Sequence, residues 1–162
     1  MANTFTQIYI QVIFAVEWRQ SLIAPERKEE IQKYITGIIR NKSQKLIEIN
    51  SMPDHLHMLI GMQPDIALSD LVREVKKSSS NFINERRLVK GKFNWQEGFG
   101  AFSYSRSSLD AVIRYIRNQE AHHRGTSFKK EYMTMLRKFD ITFDERYLFE
   151  FSNDGDNSTD VA

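Results

Sequence analysis

His55 and His57 stand one residue apart in the run Met52-Pro53-Asp54-His55-Leu56-His57-Met58-Leu59-Ile60. On an extended strand, side chains at i and i+2 leave the same face ~6.5–7 Å apart. The two imidazoles therefore point together, while Leu56, Met58 and Ile60 point the other way. Neutral imidazoles at that separation can each give one nitrogen to a shared cation. Two strand histidines with no common task are an equally open reading of the motif alone. A second candidate lies in the run SLDAVIRYIRNQEAHH, residues 108–123. Leu109, Val112, Ile113 and Ile116 form an apolar stripe. At ~100° per residue, Tyr115 and Gln119 project within ~40° of each other on its flank. A tyrosine there can be aimed at a substrate, or can simply pack its ring at the core edge. His122 and His123 follow in the last turn, where histidine complements the helix dipole, and that is the role expected of them.

These residues need a frame. Residues 4–16 alternate apolar and polar and are rich in β-branched and aromatic types, which predicts a strand. Pro25 and the glutamates behind it open an amphipathic helix over roughly 25–42. Lys45–Met52 and His55–Met62 read as two strands of a hairpin. A second helix carries Leu68, Leu71, Val72, Val75, Phe82 and Ile83 on one face. Residues 90–100, KGKFNWQEGFG, read as an aromatic loop and 101–105 as a short strand. Ser107 with Asp110 suggests a capping box opening a helix over 108–123, and a further helix is expected near 127–138. The order β-α-β-β-α-β followed by helices predicts an α+β class: a ferredoxin-like or RRM-like antiparallel sheet with additional C-terminal helices. Helices cover one face of such a sheet, and the other is expected to be free for a ligand.

The chain has 162 residues, 41% hydrophobic and 27% charged, which suits one globular domain. We place that domain at 1–151 and read 152–162, SNDGDNSTDVA in its setting, as an acidic disordered tail. Zero cysteines exclude thiolate metal sites and cysteine nucleophiles. No run reaches the ~20 apolar residues of a membrane span and no signal peptide is evident, so a cytoplasmic protein is expected. The net charge of +2 conceals 22 basic against 14 acidic residues in positions 1–139, a surplus suited to polyanions. Arg73, Lys76, Lys77, Arg86, Arg87, Lys90 and Lys92 are the candidate backbone-tracking residues. Phe93, Trp95, Phe99, Phe102 and Tyr104 can stack bases, with a core role expected for at least half of them. No GxxxxGK[ST] loop is present, so no nucleotide cofactor is expected.

The strand His-hydrophobe-His after Met-Pro-Asp, the helical Tyr-x-x-x-Gln, and the stretch Trp95–Ser105 between them together resemble the single-tyrosine HUH transposases of the smallest insertion sequences. The likeness spans about residues 4–150. It implies that Tyr115 is a nucleophile forming a 5′-phosphotyrosine, and that His55, His57 and Gln119 hold a divalent cation, Mg²⁺ or Mn²⁺. It also implies single-stranded DNA with hairpins as substrate, and a homodimer in which the tyrosine helix can serve the partner's site. With three uncharged ligands the ion would keep its double charge for the phosphate. Two other readings compete. One is a non-catalytic single-stranded nucleic-acid-binding module on the same fold. The other is a related nickase for replication or repeat processing.

Overall fold

The computed structural model describes residues 3–20 and 22–148. The tail expected at 152–162 lies outside them. The element order is β1 (Tyr9–Ala15), α1 (Pro25–Asn41), β2 (Lys45–Ser51), β3 (His55–Gly61), α2 (Leu68–Glu85), β4 (Gly100–Tyr104), α3 (Leu109–Arg117), α4 (Gln119–His122) and α5 (Phe128–Lys138). The four strands form one antiparallel sheet in the order β2-β3-β1-β4. This is the expected α+β frame with β1 and β3 at its centre.

Strand periodicity divides the core in two. Val12, Phe14 and Val16 with Leu56, Met58 and Ile60 meet Ile31, Ile35, Ile39, Leu71, Val72 and Val75 from α1 and α2. Phe93 and Trp95 are buried in the same core, and the Trp95 indole N–H donates to Ser79 Oγ at 2.9 Å. The bulk of the aromatic loop is thus structural, as is Phe102, whereas Phe99 is exposed.

The opposite face is not free, contrary to expectation. Ile13, Ala15 and Phe102 pack under Phe128, Tyr132, Met135 and Leu136 of α5, and Leu59 packs under Val112 and Ile116 of α3. The chain beyond β4 thus supplies a second helical layer, so the face carrying His55 and His57 is roofed. Among the described residues no helix is long and apolar enough to cross a membrane.

Two local differences matter for the site. The helix expected over 108–123 breaks at Asn118 (φ −93°, ψ 16°), which separates α3 from α4 and turns the chain toward α5. The expected capping box is absent. A 3₁₀ turn at Arg106–Ser108 leads into α3, and the Ser107 hydroxyl bonds to Ser105 instead. The end of α3 is held from β2, where Asn50 Nδ2 donates to the Ile116 carbonyl at 2.7 Å. Asn50 is the register partner of His57, so this bond ties the helix to the strand next to the histidines. Asn50→Leu strands a buried carbonyl, and thermal or urea melts should show a loss of about 1–3 kcal/mol.

A histidine and carboxylate cluster beneath the tyrosine helix

β3 delivers His55 and His57 side by side, fully buried, with ring centroids 5.1 Å apart. α3 places the Tyr115 ring 5.9 Å from His57, on its own chain's sheet. Gln119 is buried at the start of α4, its Nε2 donating to the Tyr115 carbonyl at 3.3 Å and its Oε1 2.9 Å from His123 Nε2. The strand motif and the helix motif, 58 residues apart in sequence between His57 and Tyr115, therefore meet.

Two further residues join them. The break at Asn118 brings His123 inward, its ring 4.7 Å from that of His55. Glu131 rises from the buried face of α5, with Oε1 3.0 Å from His57 Nε2 and Oε2 3.0 Å from His123 Nε2. His122 Nε2 also lies 3.0 Å from Glu131 Oε2. His122 and His123 therefore turn toward a carboxylate rather than serving only the helix dipole. One ligand atom each from His55, His57, His123 and Glu131 lie within 4.8 Å of one another, so the four can hold a metal ion.

The hydrogen bonds fix how far the site is ready for one. His55 Nδ1 is 2.6 Å from Asp54 Oδ1, and its ring stacks on Phe128 with centroids 3.9 Å apart. With its proton on Nδ1 toward that carboxylate, His55 leaves a lone pair on Nε2, a buried atom with no hydrogen-bond partner among the described residues. His123 Nδ1 donates to the Thr126 carbonyl at 2.8 Å, which likewise turns Nε2 toward the cluster. An imidazole held from behind by an acceptor is the usual arrangement of a histidine ligand. The donor set fits a divalent ion.

Without an ion, charge is balanced within the cluster. Burial disfavours the Glu131 carboxylate, but hydrogen bonds from His123 and His57 outweigh it and hold the carboxyl well below the usual range. Burial opposes protonation of His123, yet the bond to Glu131 and its charge raise the imidazole above its ordinary value. Burial dominates at His57 and lowers it to about 4, so this ring is neutral at pH 7. Tyr115 is pushed upward, first by burial and then by the Glu131 charge, so its hydroxyl keeps its proton. A sign follows for the ion-free protein. Unfolded His57 takes up a proton near pH 6.5, and the folded residue does so only near pH 4. Stability must therefore fall as pH drops from 6.5 to 4. Urea titrations in EDTA across that window should show the slope, and His57→Gln should reduce it.

A cleft of about 560 Å³ opens beside the tyrosine between α3 and α5, with Tyr104, Ala111, Tyr115, Glu131, Lys130 and Lys138 among its lining residues. The basic residues selected from sequence lie elsewhere. Arg73, Lys76 and Lys77 sit on α2, which covers the far face of the sheet, while Arg86, Arg87, Lys90 and Lys92 follow it. Lys76 is turned inward: its ammonium donates to the Gln96 carbonyl at 2.8 Å and also to that of Gly98, and burial lowers it to about 8. Arg73 pairs with Asp70 at 2.9 Å. Sequence reasoning missed Lys130 and Lys138, whose only signal is their place beside an aromatic stripe.

Comparisons with known proteins bear on the fold and the family. Residues 4–119 match the family model described as "Transposase IS200 like". The ISDra2 transposase TnpA of Deinococcus radiodurans is 23% identical over 118 residues, which is 70% of this chain and 84% of that protein. The transposase for insertion sequence element IS200 of Salmonella typhimurium is 22% identical over 124 residues, 74% of this chain and 81% of the other. Among solved structures, a REP-associated tyrosine transposase bound to a REP hairpin superposes with a TM-score of 0.58 at 15% identity, covering 76% of this chain and 73% of the other. That last likeness is one of fold. His122, His123 and Glu131 all lie beyond the residues the family model matches.

Proposed function

The chain belongs to the IS200-like transposase family, and we propose on that premise that it cleaves and rejoins single-stranded DNA through a covalent tyrosine intermediate. The observation that carries this reading is the meeting of Tyr115 with the histidine cluster under one roof. Tyr115 is the nucleophile. Its oxygen attacks the scissile phosphorus, the bond to the 3′-oxygen breaks, and that oxygen leaves as a free 3′-OH after taking up a proton. The 5′-phosphate stays on the tyrosine, so its ester bond is preserved and a 3′-OH from another strand can reverse the step. No nucleotide cofactor is required.

His55, His57 and Gln119 are kept as ligands of a divalent cation, and His123 and Glu131 are added to them. Bound there, the ion supplies positive charge to a non-bridging phosphate oxygen and offsets the Glu131 charge that keeps the phenol protonated. The carboxylate changes the expectation of an all-neutral ligand set. An imidazole-rich set with one carboxylate favours Mn²⁺ over Mg²⁺, which prefers oxygen donors. The chain's own groups do the rest: Phe128 and the α3 stripe exclude water, and the Glu131 charge keeps the phenol protonated until substrate arrives.

Access favours a flexible strand, since a duplex is too stiff to bring one phosphate under α3. Lys130 and Lys138 flank the cleft and would steer the backbone past Tyr115. The α2 and loop residues Arg73, Lys77, Arg86, Arg87, Lys90 and Lys92 remain proposed contacts for DNA outside the cut, such as a hairpin stem. A homodimer and a cytoplasmic setting remain part of the proposal. The deciding experiment mixes the protein with end-labelled hairpin-bearing single strands and Mn²⁺. A denaturant-resistant protein–DNA band that EDTA suppresses is expected. Binding without any such band, across strands bearing varied hairpins, would favour the non-catalytic binding module.

A further inference from the structure

Of the three imidazoles in the cluster, two have an acceptor behind them that keeps the proton on Nδ1: Asp54 for His55 and the Thr126 carbonyl for His123. His57 does not. Behind it stands Gln11 of β1, fully buried, whose Nε2 lies 3.0 Å from His57 Nδ1. The other end of that amide, Oε1, accepts from the Tyr104 hydroxyl of β4 at 3.0 Å. An amide nitrogen can only donate, so in this arrangement Nδ1 of His57 is the acceptor. The ring proton must then sit on Nε2, pointing at Glu131 Oε1 3.0 Å away. That tautomer suits the ion-free cluster and blocks ligation, because the nitrogen that faces the other ligands carries hydrogen. Rotating the Gln11 amide by half a turn exchanges its oxygen and nitrogen in place. Nδ1–H would then donate to Oε1, the amide N–H to the Tyr104 oxygen, and Nε2 would be free.

We propose that Gln11 is the positioning residue that decides which nitrogen of His57 carries its proton, and that ion loading reverses the Tyr104–Gln11–His57 relay. The geometry gives Gln11 little else to do. It is a polar side chain on a central strand, and among the described residues its side-chain hydrogen-bond partners are His57 and Tyr104. The relay also gives the Tyr104 hydroxyl a positioning task. The inference rests on the metal reading of the site above.

Nitrogen-15 NMR on the full chain tests it directly, first in EDTA and then with Zn²⁺ as a diamagnetic probe. His57 should carry its proton on Nε2 without ion and on Nδ1 with it. An unchanged His57 tautomer in a Zn²⁺-bound protein would overturn the relay and leave the metal site standing. Co²⁺ titration followed by visible absorption supplies a second readout. Gln11→Met, similar in size but without a good acceptor, should weaken Co²⁺ binding about 10- to 100-fold. Gln11→Glu, an acceptor at both oxygens, should restore it to within a few-fold of wild type. Equal affinity in Gln11→Met, or no rescue by Gln11→Glu, would refute the role. If wild-type protein takes up neither ion, the metal reading itself fails, and the reversal fails with it.

Discussion

Tyr115→Phe should still bind hairpin-bearing single strands and should never be found joined to them. The substitution deletes one oxygen. The ring that stands 5.9 Å from His57 stays in place, and the stripe of Val112 and Ile116 that seats α3 against Leu59 is untouched. What goes is the oxygen proposed to form the phosphotyrosine, so capture should fall by ~10³-fold or more. Co²⁺ affinity should stay within a few-fold of wild type, which separates loss of the nucleophile from loss of the site. Gel capture and Co²⁺ titration on the same preparation check both. Capture at wild-type level would remove Tyr115 from the mechanism and point to Tyr104, whose hydroxyl already bonds to Gln11.

The half of the site carried by spacing was legible in the sequence. A period of two puts His55 and His57 on one face wherever a strand forms, and a period of 3.6 puts Tyr115 on the flank of the Val112 and Ile116 stripe; Gln119 stays close to Tyr115 although the helix breaks at Asn118 between them. Both arguments need only local geometry, as does the order of elements that led to the antiparallel sheet. What remained hidden depends on a long-range fold-back. His123 reads as a helix-end residue until the chain breaks at Asn118, and nothing local in Arg117-Asn118-Gln119 demands that break. Gln11 looks like one polar position in an alternating strand, although that strand turns out to be covered on both faces. Glu131 did leave a trace. It falls within the buried set Phe128, Tyr132, Met135 and Leu136 on α5, where a lone carboxylate must either find partners or lose its charge. An acidic residue on the apolar stripe of a helix was the signal that the face of β3 was roofed rather than open.

That carboxylate carries the second large expectation. Glu131→Gln keeps the shape and most of the packing while removing the charge. In the ion-free protein, His57 Nε2 and His123 Nε2 each lie 3.0 Å from a Glu131 oxygen, and His123 loses the carboxylate whose bond and charge raise its pKa. The variant should bind a proton at His123 less readily and melt at lower temperature by an amount equivalent to a few kcal/mol. The ion then meets a site short of its one anionic donor, and affinity for Mn²⁺ or Co²⁺ should drop by at least about 100-fold. Covalent capture at limiting Mn²⁺ should fall in step and recover in part as the ion is raised. Two other causes would leave different marks. A purely structural role would lower the melting point without changing ion affinity per folded molecule, and a role confined to the Tyr115 hydrogen bond would lower capture at every ion concentration alike. Ion affinity unchanged in folded Glu131→Gln would mean that the carboxylate is no ligand and that the imidazoles hold the cation with Gln119. Helix α5 would then be a roof over the chemistry and not part of it.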